Sequence, residues 1–186
     1  MGCAFCASTL HGLQRNLTAG EISGQIMAAQ RDLKRRISNI VMMGSGEPFD
    51  NFENVMKFIK IAVSPDGLGI GARHITVSTC GLTDGIYALA ESGIPVNLSI
   101  SLHAPNDTIR KSIMPVARAV PIERLQKAAR DFFEKTKRRV TYEYALIDGV
   151  NDSDECAREL AALIGHDGTH VNLIPVNAVK ERNYKK

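Results

Sequence analysis

The sequence predicts an α/β protein built around a parallel sheet, and two observations support this fold class. Five short apolar segments have the length and residue types of strands. Helical patterns separate these segments, and strict alternation of strand and helix favours βα units. The 186 residues show no linker and no internal repeat, so residues 1–186 are expected to form one domain.

The boundaries of these elements follow from hydrophobic periodicity and from capping signals. Thr18 and Glu21 have the spacing of a capping box, and carboxylates at 152–155 suit a helix start. The predicted strands are residues 39–43, 74–79, 96–102, 140–147 and 171–174. The predicted helices are residues 18–36, 51–63, 83–92, 107–114, 122–135 and 152–164.

The predicted strands carry a polar row on one face, which is unusual for a parallel sheet because such sheets are normally apolar on both faces. Every second residue from Val96 to His103 is polar, and Thr76 and Ser78 share a face of the preceding strand. A solvated antiparallel sheet would give the same alternation, but the intervening helices count against it. A parallel barrel, or part of one, with a polar lumen fits better.

The composition and the net charge indicate which partners and which cellular location to expect. The net charge of +3 permits a nucleic-acid partner without arguing for one, because the basic runs at 34–36 and 135–139 lie at helix ends. No apolar run reaches the roughly 18–20 residues that a membrane helix needs, and the first residues do not resemble a signal peptide. We therefore expect a cytoplasmic protein with no membrane partner.

Two of the four cysteines form a C-x-x-C pair, Cys3 and Cys6, whereas Cys80 and Cys156 stand alone. In a cytoplasmic chain such a pair indicates a metal or redox site rather than a structural disulfide. Its spacing leaves zinc, dithiol and iron–sulfur chemistry open.

Loops that follow the predicted strands carry the other candidate residues. Gly46 and Glu47 follow the first strand, but a dinucleotide-binding fingerprint would need glycine where Phe49 stands. Ser101 and His103 end the polar row of the third strand. Asn177 follows the fifth strand near Pro175, where a simple turn residue is an equally good interpretation.

Taken together, these segments resemble the dual-specificity rRNA/tRNA adenine-C2 methyltransferases of the radical S-adenosylmethionine (SAM) superfamily. The resemblance covers almost the whole chain. Five segments carry it in order, Cys-Ala-Phe-Cys-Ala-Ser-Thr, Gly-Glu-Pro, Ser-Thr-Cys-Gly, Ser-Leu-His-Ala-Pro-Asn and Leu-Ile-Pro-Val-Asn. It implies a partial (β/α)₆ barrel with parallel strands and with the first strand missing, so that residues 1–186 would be a radical SAM core truncated at both ends.

The resemblance also implies a [4Fe–4S] cluster and SAM as cofactors. Cys3 and Cys6 match the second and third cysteines of the superfamily's Cys-x₃-Cys-x₂-Cys signature, and Phe5 matches its aromatic position near the SAM adenine. The residues that would form the SAM pocket by the same matching are Gly46, Glu47, Ser78, Ser101, Leu102, His103 and Asn177.

In that family one SAM methylates a cysteine, and a second SAM supplies the radical that transfers the methyl group to carbon 2 of adenine. The partners implied are rRNA, tRNA and an electron-donating reductase or flavodoxin. The family's methyl-carrying Cys-Gly-Gln-Leu segment does not occur in the sequence. We therefore assign no catalytic residue, and we expect residues 1–186 alone to be inactive and to associate through an open sheet edge.

Two alternative functions remain at this stage. A radical SAM enzyme with a substrate other than RNA would share the barrel and the SAM pocket. A non-catalytic RNA-binding module would instead use Cys3 and Cys6 to hold zinc.

Overall fold

The computed structural model describes residues 1–165, 169–177, 179, 181 and 184. The strands described form one parallel sheet in the order β1-β2-β3-β4-β5, and helices alternate with them along the chain. This sheet curls into a half-barrel, which confirms the predicted α/β class and the parallel arrangement. The strands are β1 (Ile40–Met42), β2 (Ile75–Thr79), β3 (Asn97–Ser101), β4 (Val140–Leu146) and β5 (His170–Pro175).

The helices match the predicted ones in number and order within the residues described. Among them, no helix is long and apolar enough to cross a membrane. The helices are α1 (Ala19–Leu33), α2 (Phe52–Val63), α3 (Thr83–Glu91), α4 (Asp107–Ile113), α5 (Ile122–Thr136) and α6 (Asp154–Ile164). Short 3₁₀ turns cover Ala7–Thr9, Pro48–Asn51, Ala72–His74 and Pro115–Arg118.

Local chemistry explains both the agreement and the differences at helix ends. The predicted capping box at the start of α1 is confirmed, because the Thr18 hydroxyl accepts from the Glu21 amide and the Glu21 carboxylate accepts from the Thr18 amide. The predicted end of α1 was three residues too late, since Lys34 adopts a left-handed conformation with φ of 50°. The start of α6 was predicted two residues too early, because Ser153 is its N-cap.

The outer face of the sheet is apolar and packs against the helices. Ile75 and Val77 of β2 and Leu98 and Ile100 of β3 have no exposed surface. They belong to one hydrophobic core with residues of α2, α3 and α5, such as Phe132. Burial of these side chains is the main source of stability that the sequence encodes.

The inner face carries the predicted polar rows. Strand pairing places Ser78 of β2 beside Ser99 of β3, and Ser101 of β3 beside Glu143 of β4. Because every ladder described is parallel, this alternation belongs to the lumen of a half-barrel and not to the wet face of an antiparallel sheet. The carboxyl ends of the strands therefore bring the candidate loops to one edge.

Candidate functional site

Hydrogen bonds join the loops at the carboxyl edge of the sheet into one site. The Cys80 amide, after β2, donates to Glu47, after β1. The Ala145 amide of β4 donates to His103, after β3, and the Val176 amide, after β5, donates to the Leu146 carbonyl. Most of the residues that the sequence singled out thus meet at one place.

Glu47 joins the loop after β1 to the loop after β2, and its side chain is only 7% exposed. One carboxylate oxygen accepts from the Phe49 amide at 3.1 Å, and the other accepts from the Cys80 amide at 2.7 Å. Burial raises the pKa of Glu47, and these hydrogen bonds oppose that shift. The side chains of Thr79 and Cys80 also hydrogen-bond to this carboxylate, which has the acceptor chemistry that a ligand's ammonium group needs.

The glycine loop before Glu47 leaves open space beside its backbone. Gly44 and Gly46 have φ of 124° and 86°, values that side chains rarely adopt. An added Cβ at either position would meet nothing within 4 Å. The backbone here therefore has open space on the side where a ligand would approach.

His103 is buried and its protonation state follows from its contacts. Its Nδ1 accepts from the Ala145 amide at 2.9 Å, which places the proton of the neutral ring on Nε2. Burial, together with the nearby charge of Arg110, lowers the pKa of His103 to about 3. Its ring meets the edge of Phe5 with centroids 5.0 Å apart. The cysteine loop, residues 3–6, therefore touches the end of β3.

Asn151 positions the turn that carries His103. Its side-chain amide donates to the carbonyls of His103 and Ala145, at 2.8 and 2.7 Å, and its Oδ1 accepts from the Ile147 amide. The Tyr144 hydroxyl donates to the Asn151 carbonyl. Sequence reasoning missed Asn151, although an asparagine in the loop after a buried strand was a visible signal.

Glu143 is a second buried carboxylate, and it lies in the lumen beside Ser101. It accepts from the Ser99 hydroxyl at 2.7 Å and from the Asn172 side-chain amide at 2.8 Å. No role was assigned to Glu143 from the sequence. The structure shows that it links β3, β4 and β5 across the inner face.

Arg110 is the site residue that the sequence gave least reason to expect. This α4 guanidinium has no exposed surface. Its donors reach the carbonyls of Leu102 at 3.2 Å, Val120 at 3.0 Å and Cys80 at 2.9 Å. The sequence predicted only a helix here, because a single arginine in an amphipathic helix is usually exposed.

Leu102 and Asn177, two of the predicted SAM-pocket residues, differ in how exposed they are. The Leu102 side chain lies in the hydrophobic core with no exposed surface, its amide donates to the Glu143 carbonyl, and its carbonyl accepts from Arg110. The Leu102 side chain is therefore not accessible to a ligand, and Leu102 would line a pocket only through its backbone. Asn177 is exposed beyond the end of β5. Ser78 is buried, and Ser101 is partly buried at the carboxyl end of β3.

The cysteine loop packs against α4 and the loop after β2. The Ala4 amide donates to the Ile113 carbonyl at 2.8 Å, and Cys3 is 5% exposed. A hydrogen bond from the Cys80 thiol lowers the pKa of Cys3 to about 7, and the charges of the N-terminal ammonium group and then of Arg110 contribute in the same direction. The same contact and burial raise the pKa of Cys80. The sequence did not predict this proximity of Cys80 to Cys3.

The cysteine pair Cys3 and Cys6 is the metal-binding candidate that the sequence predicted. No group of three or more Cys, His, Asp or Glu side chains there has the arrangement of a metal site. Cys3 and Cys6 are free thiols, so they are available as two ligands of a larger site. A complete zinc site is therefore not formed by the described residues.

Comparison with known proteins identifies the family. Residues 1–161 match the model described as the radical SAM superfamily. A protein of Caldicellulosiruptor saccharolyticus, named as a probable dual-specificity RNA methyltransferase RlmN, is 59% identical over 100% of this chain and 54% of its own length. A protein of Symbiobacterium thermophilum with the same name is 56% identical over 98% of this chain and 50% of its own length.

A solved structure agrees with these sequence matches. A radical SAM methyltransferase from Sphaerobacter thermophilus superposes with a TM-score of 0.95 at 49% identity, covering 100% of this chain and 55% of that one. The chain spans about half the length of the curated relatives that it matches. Because the superfamily model covers most of the sequence and the half-barrel is the same, the chain belongs to the radical SAM superfamily, whose cofactors are a [4Fe–4S] cluster and SAM.

Proposed function

We propose that residues 1–186 form the SAM- and cluster-binding core of a methyltransferase that acts on carbon 2 of adenine in rRNA and tRNA. One observation carries this proposal: the five resemblance segments lie at one edge of a half-barrel, in a chain 59% identical to a protein named as a dual-specificity RNA methyltransferase. The whole range is proposed to be one radical SAM core domain.

The cysteine pair suits two ligand positions of a [4Fe–4S] cluster. Iron–sulfur clusters bind thiolates, and the lowered pKa of Cys3 favours its thiolate near neutral pH. We propose Cys3 and Cys6 as cluster ligands. Phe5 lies between them and contacts His103, so the same loop would place an aromatic ring beside the SAM pocket.

The proposed SAM pocket uses the inner face and the carboxyl edge. Glu47 would accept from the ammonium group of SAM, and the open backbone at Gly46 would allow its methionine end to approach closely. Neutral His103 would offer Nε2 as a donor without adding positive charge. The residues proposed to complete the pocket are Ser78, Ser101, Leu102 and Asn177.

The protein's part in the reaction is to bind, orient and exclude water. When bound, the cluster and SAM supply the methyl group and the radical reactivity. Glu47, Asn151 and Arg110 hold the loops that face SAM through buried hydrogen bonds, so these loops are ordered before SAM arrives. None of these residues is proposed to be catalytic.

The proposed partners follow from the relatives and from the exposed edges of the sheet. We propose rRNA and tRNA as substrates of the whole protein, with a reductase or flavodoxin as electron donor. Val41 of β1 and Leu173 of β5 are 57% and 56% exposed, so the two edge strands would support association of residues 1–186 with another copy.

The first test is anaerobic iron–sulfur reconstitution of the full-length protein followed by SAM titration. We expect SAM binding by the wild type and a loss of affinity in Glu47→Gln and in Ser101→Ala. Glu134→Gln, on the exposed face of α5, is the matched control and should bind as the wild type does. Zinc in place of iron, or RNA affinity without SAM affinity, would support the zinc-module alternative and contradict the proposal.

The second test concerns the substrate. The full-length protein, with SAM and a reductant, is expected to produce 2-methyladenine in rRNA and tRNA, detected by mass spectrometry of digested RNA. SAM cleavage without RNA methylation would favour the alternative of a non-RNA substrate. Residues 1–186 alone should give no methylation, and methylation by them would contradict the expected inactivity.

A further inference from the structure

Arg110 is a buried cation that forms no salt bridge with a carboxylate among the described residues, although the charge of Asp107, three residues earlier on α4, acts on it. Its guanidinium donates to the carbonyls of Leu102, Val120 and Cys80 and lies 3.5 Å from that of Ser101. Burial lowers its pKa, yet a guanidinium stays charged at any ordinary pH. Burying a charge is costly, and here the carbonyl acceptors and the charge of Asp107 offset part of that cost.

The fork of Arg110 connects the ends of two strands. The Cys80 carbonyl follows β2, and those of Ser101 and Leu102 lie at the end of β3. The Cys80 amide donates at the same time to Glu47, so the Cys80 backbone is held from both sides. A planar fork with five donors can make these bonds together, whereas a lysine ammonium cannot reproduce them.

Arg110 also lies beneath the cysteine loop. The Ala4 amide donates a hydrogen bond to the Ile113 carbonyl of α4, the helix that carries Arg110. The Arg110 Nη2 donates to the Cys80 carbonyl at 2.9 Å, and Cys80 packs against the same cluster of side chains that contains Cys3. An added Cβ at Gly81 would approach its Nη2 to 3.1 Å, so the space around the guanidinium is tightly filled. Its charge is therefore held in place near the thiols.

We propose that Arg110 is a positioning residue with two separable roles. Its fork holds the ends of β2 and β3 in the geometry that SAM requires, and its charge offsets the negative charge of the cluster bound by Cys3. This inference rests on the proposed function. A reduced cluster carries one more negative charge than an oxidised one, so a fixed cation beside it favours reduction and raises the potential.

The test compares Arg110→Gln and Arg110→Lys in the full-length, reconstituted protein. The readouts are the midpoint potential of the cluster, from an EPR-monitored redox titration, and the SAM dissociation constant, from calorimetry. Arg110→Gln should shift the potential to more negative values and weaken SAM binding about tenfold. Arg110→Lys keeps the charge without the fork, so it should restore the potential while SAM binding stays weak.

Arg124→Gln is the matched control, because Arg124 lies on α5 with its side chain 52% exposed beside Asp84. It should change neither readout. If Arg110→Gln does not fold, judged by circular dichroism, Arg110→Met, which also removes both the charge and the fork, takes its place in the comparison with Arg110→Lys. Unchanged SAM affinity in Arg110→Lys would overturn the role of the fork, and a potential that falls as far with Lys as with Gln would overturn the role of the charge. A wild type that binds neither cluster nor SAM would instead contradict the proposed function.

Discussion

The two faces of the sheet are built by different interactions. On the outer face, Val77 and Ile100 pack against helices in a core of aliphatic and aromatic side chains. On the inner face and the carboxyl edge, Glu143, Asn151 and Arg110 are equally buried, but each is held by directional hydrogen bonds. Burial alone therefore does not distinguish the two faces, whereas the kind of partner does.

The two kinds of interaction have different consequences: apolar packing mainly determines the free energy of unfolding, and hydrogen bonds mainly determine the geometry of the site. Apolar packing contributes free energy in proportion to the area removed from water and tolerates small shifts. A buried hydrogen bond contributes little net free energy, but its loss leaves a polar group unpaired and lets a loop move. We therefore expect the largest stability effects on the outer face and the more specific effects on the inner face.

The outer face should show the largest loss of stability. Phe132 of α5 is 1% exposed, and Phe132→Ala should reduce the free energy of unfolding by about 3–5 kcal/mol, because it removes buried apolar area and leaves a cavity. Urea denaturation would measure this. The adjacent Phe133 is 47% exposed, so Phe133→Ala is the matched control and should cost under about 1 kcal/mol. Equal costs would contradict the assignment of the two faces of α5.

On the inner face, Asn151→Ala should cost less but should disturb the site more. The change leaves the His103 and Ala145 carbonyls and the Ile147 amide without their partner, so we expect a loss of about 2–3 kcal/mol in the free energy of unfolding. SAM affinity should fall as well. Asn16→Ala, at an exposed position, should stay within about 0.5 kcal/mol. Asn151→Ala with normal SAM affinity would show that this turn does not shape the pocket.

The buried imidazole of His103 should make stability depend on pH. Its folded-state pKa is about 3 against an ordinary value of 6.5, so between these values the unfolded chain binds a proton that the native chain does not. The contribution of His103 to the free energy of unfolding is fully present above pH 6.5 and is lost as the pH falls from 6.5 towards 3. The expected loss from pH 6.5 to 5.5 is about 1 kcal/mol.

Urea denaturation at each pH would measure the slope, with His103→Asn as the comparison. Asparagine keeps an acceptor for the Ala145 amide and tolerates the φ of 55° at this position. The variant should lose this part of the pH dependence. An unchanged slope would mean that other groups cause it.

The smallest effect is expected at an exposed ion pair. Arg124→Gln removes the contact with Asp84, whose side chain is 94% exposed, and should change the free energy of unfolding by about 0–0.5 kcal/mol. The decrease should vanish in high salt, because solvent ions screen surface charges. A loss above about 1 kcal/mol would show that this arginine contributes more than its exposed charge.

The sequence by itself determined the alternation of strands and helices, the polar lumen and the family. Periodicity and capping are local properties of the sequence, so elements such as α2 and the capping box at Thr18 could be predicted. The end of α1 at Lys34 could not be predicted as well, because a lysine in the left-handed conformation gives no strong sequence signal. The loop motifs were visible because residue type and spacing carry them.

Only the tertiary structure decided which distant residues complete the site. Arg110 contacts Cys80 from thirty positions away, and Asn151 contacts His103 from forty-eight. An arginine in an amphipathic helix and an asparagine in a loop each have many ordinary uses, so composition cannot distinguish them. Which carbonyls they meet depends on how α4 and the loop after β4 pack over the ends of the strands. The physical reason is that hydrogen bonds act over about 3 Å, a proximity that the folded chain alone creates.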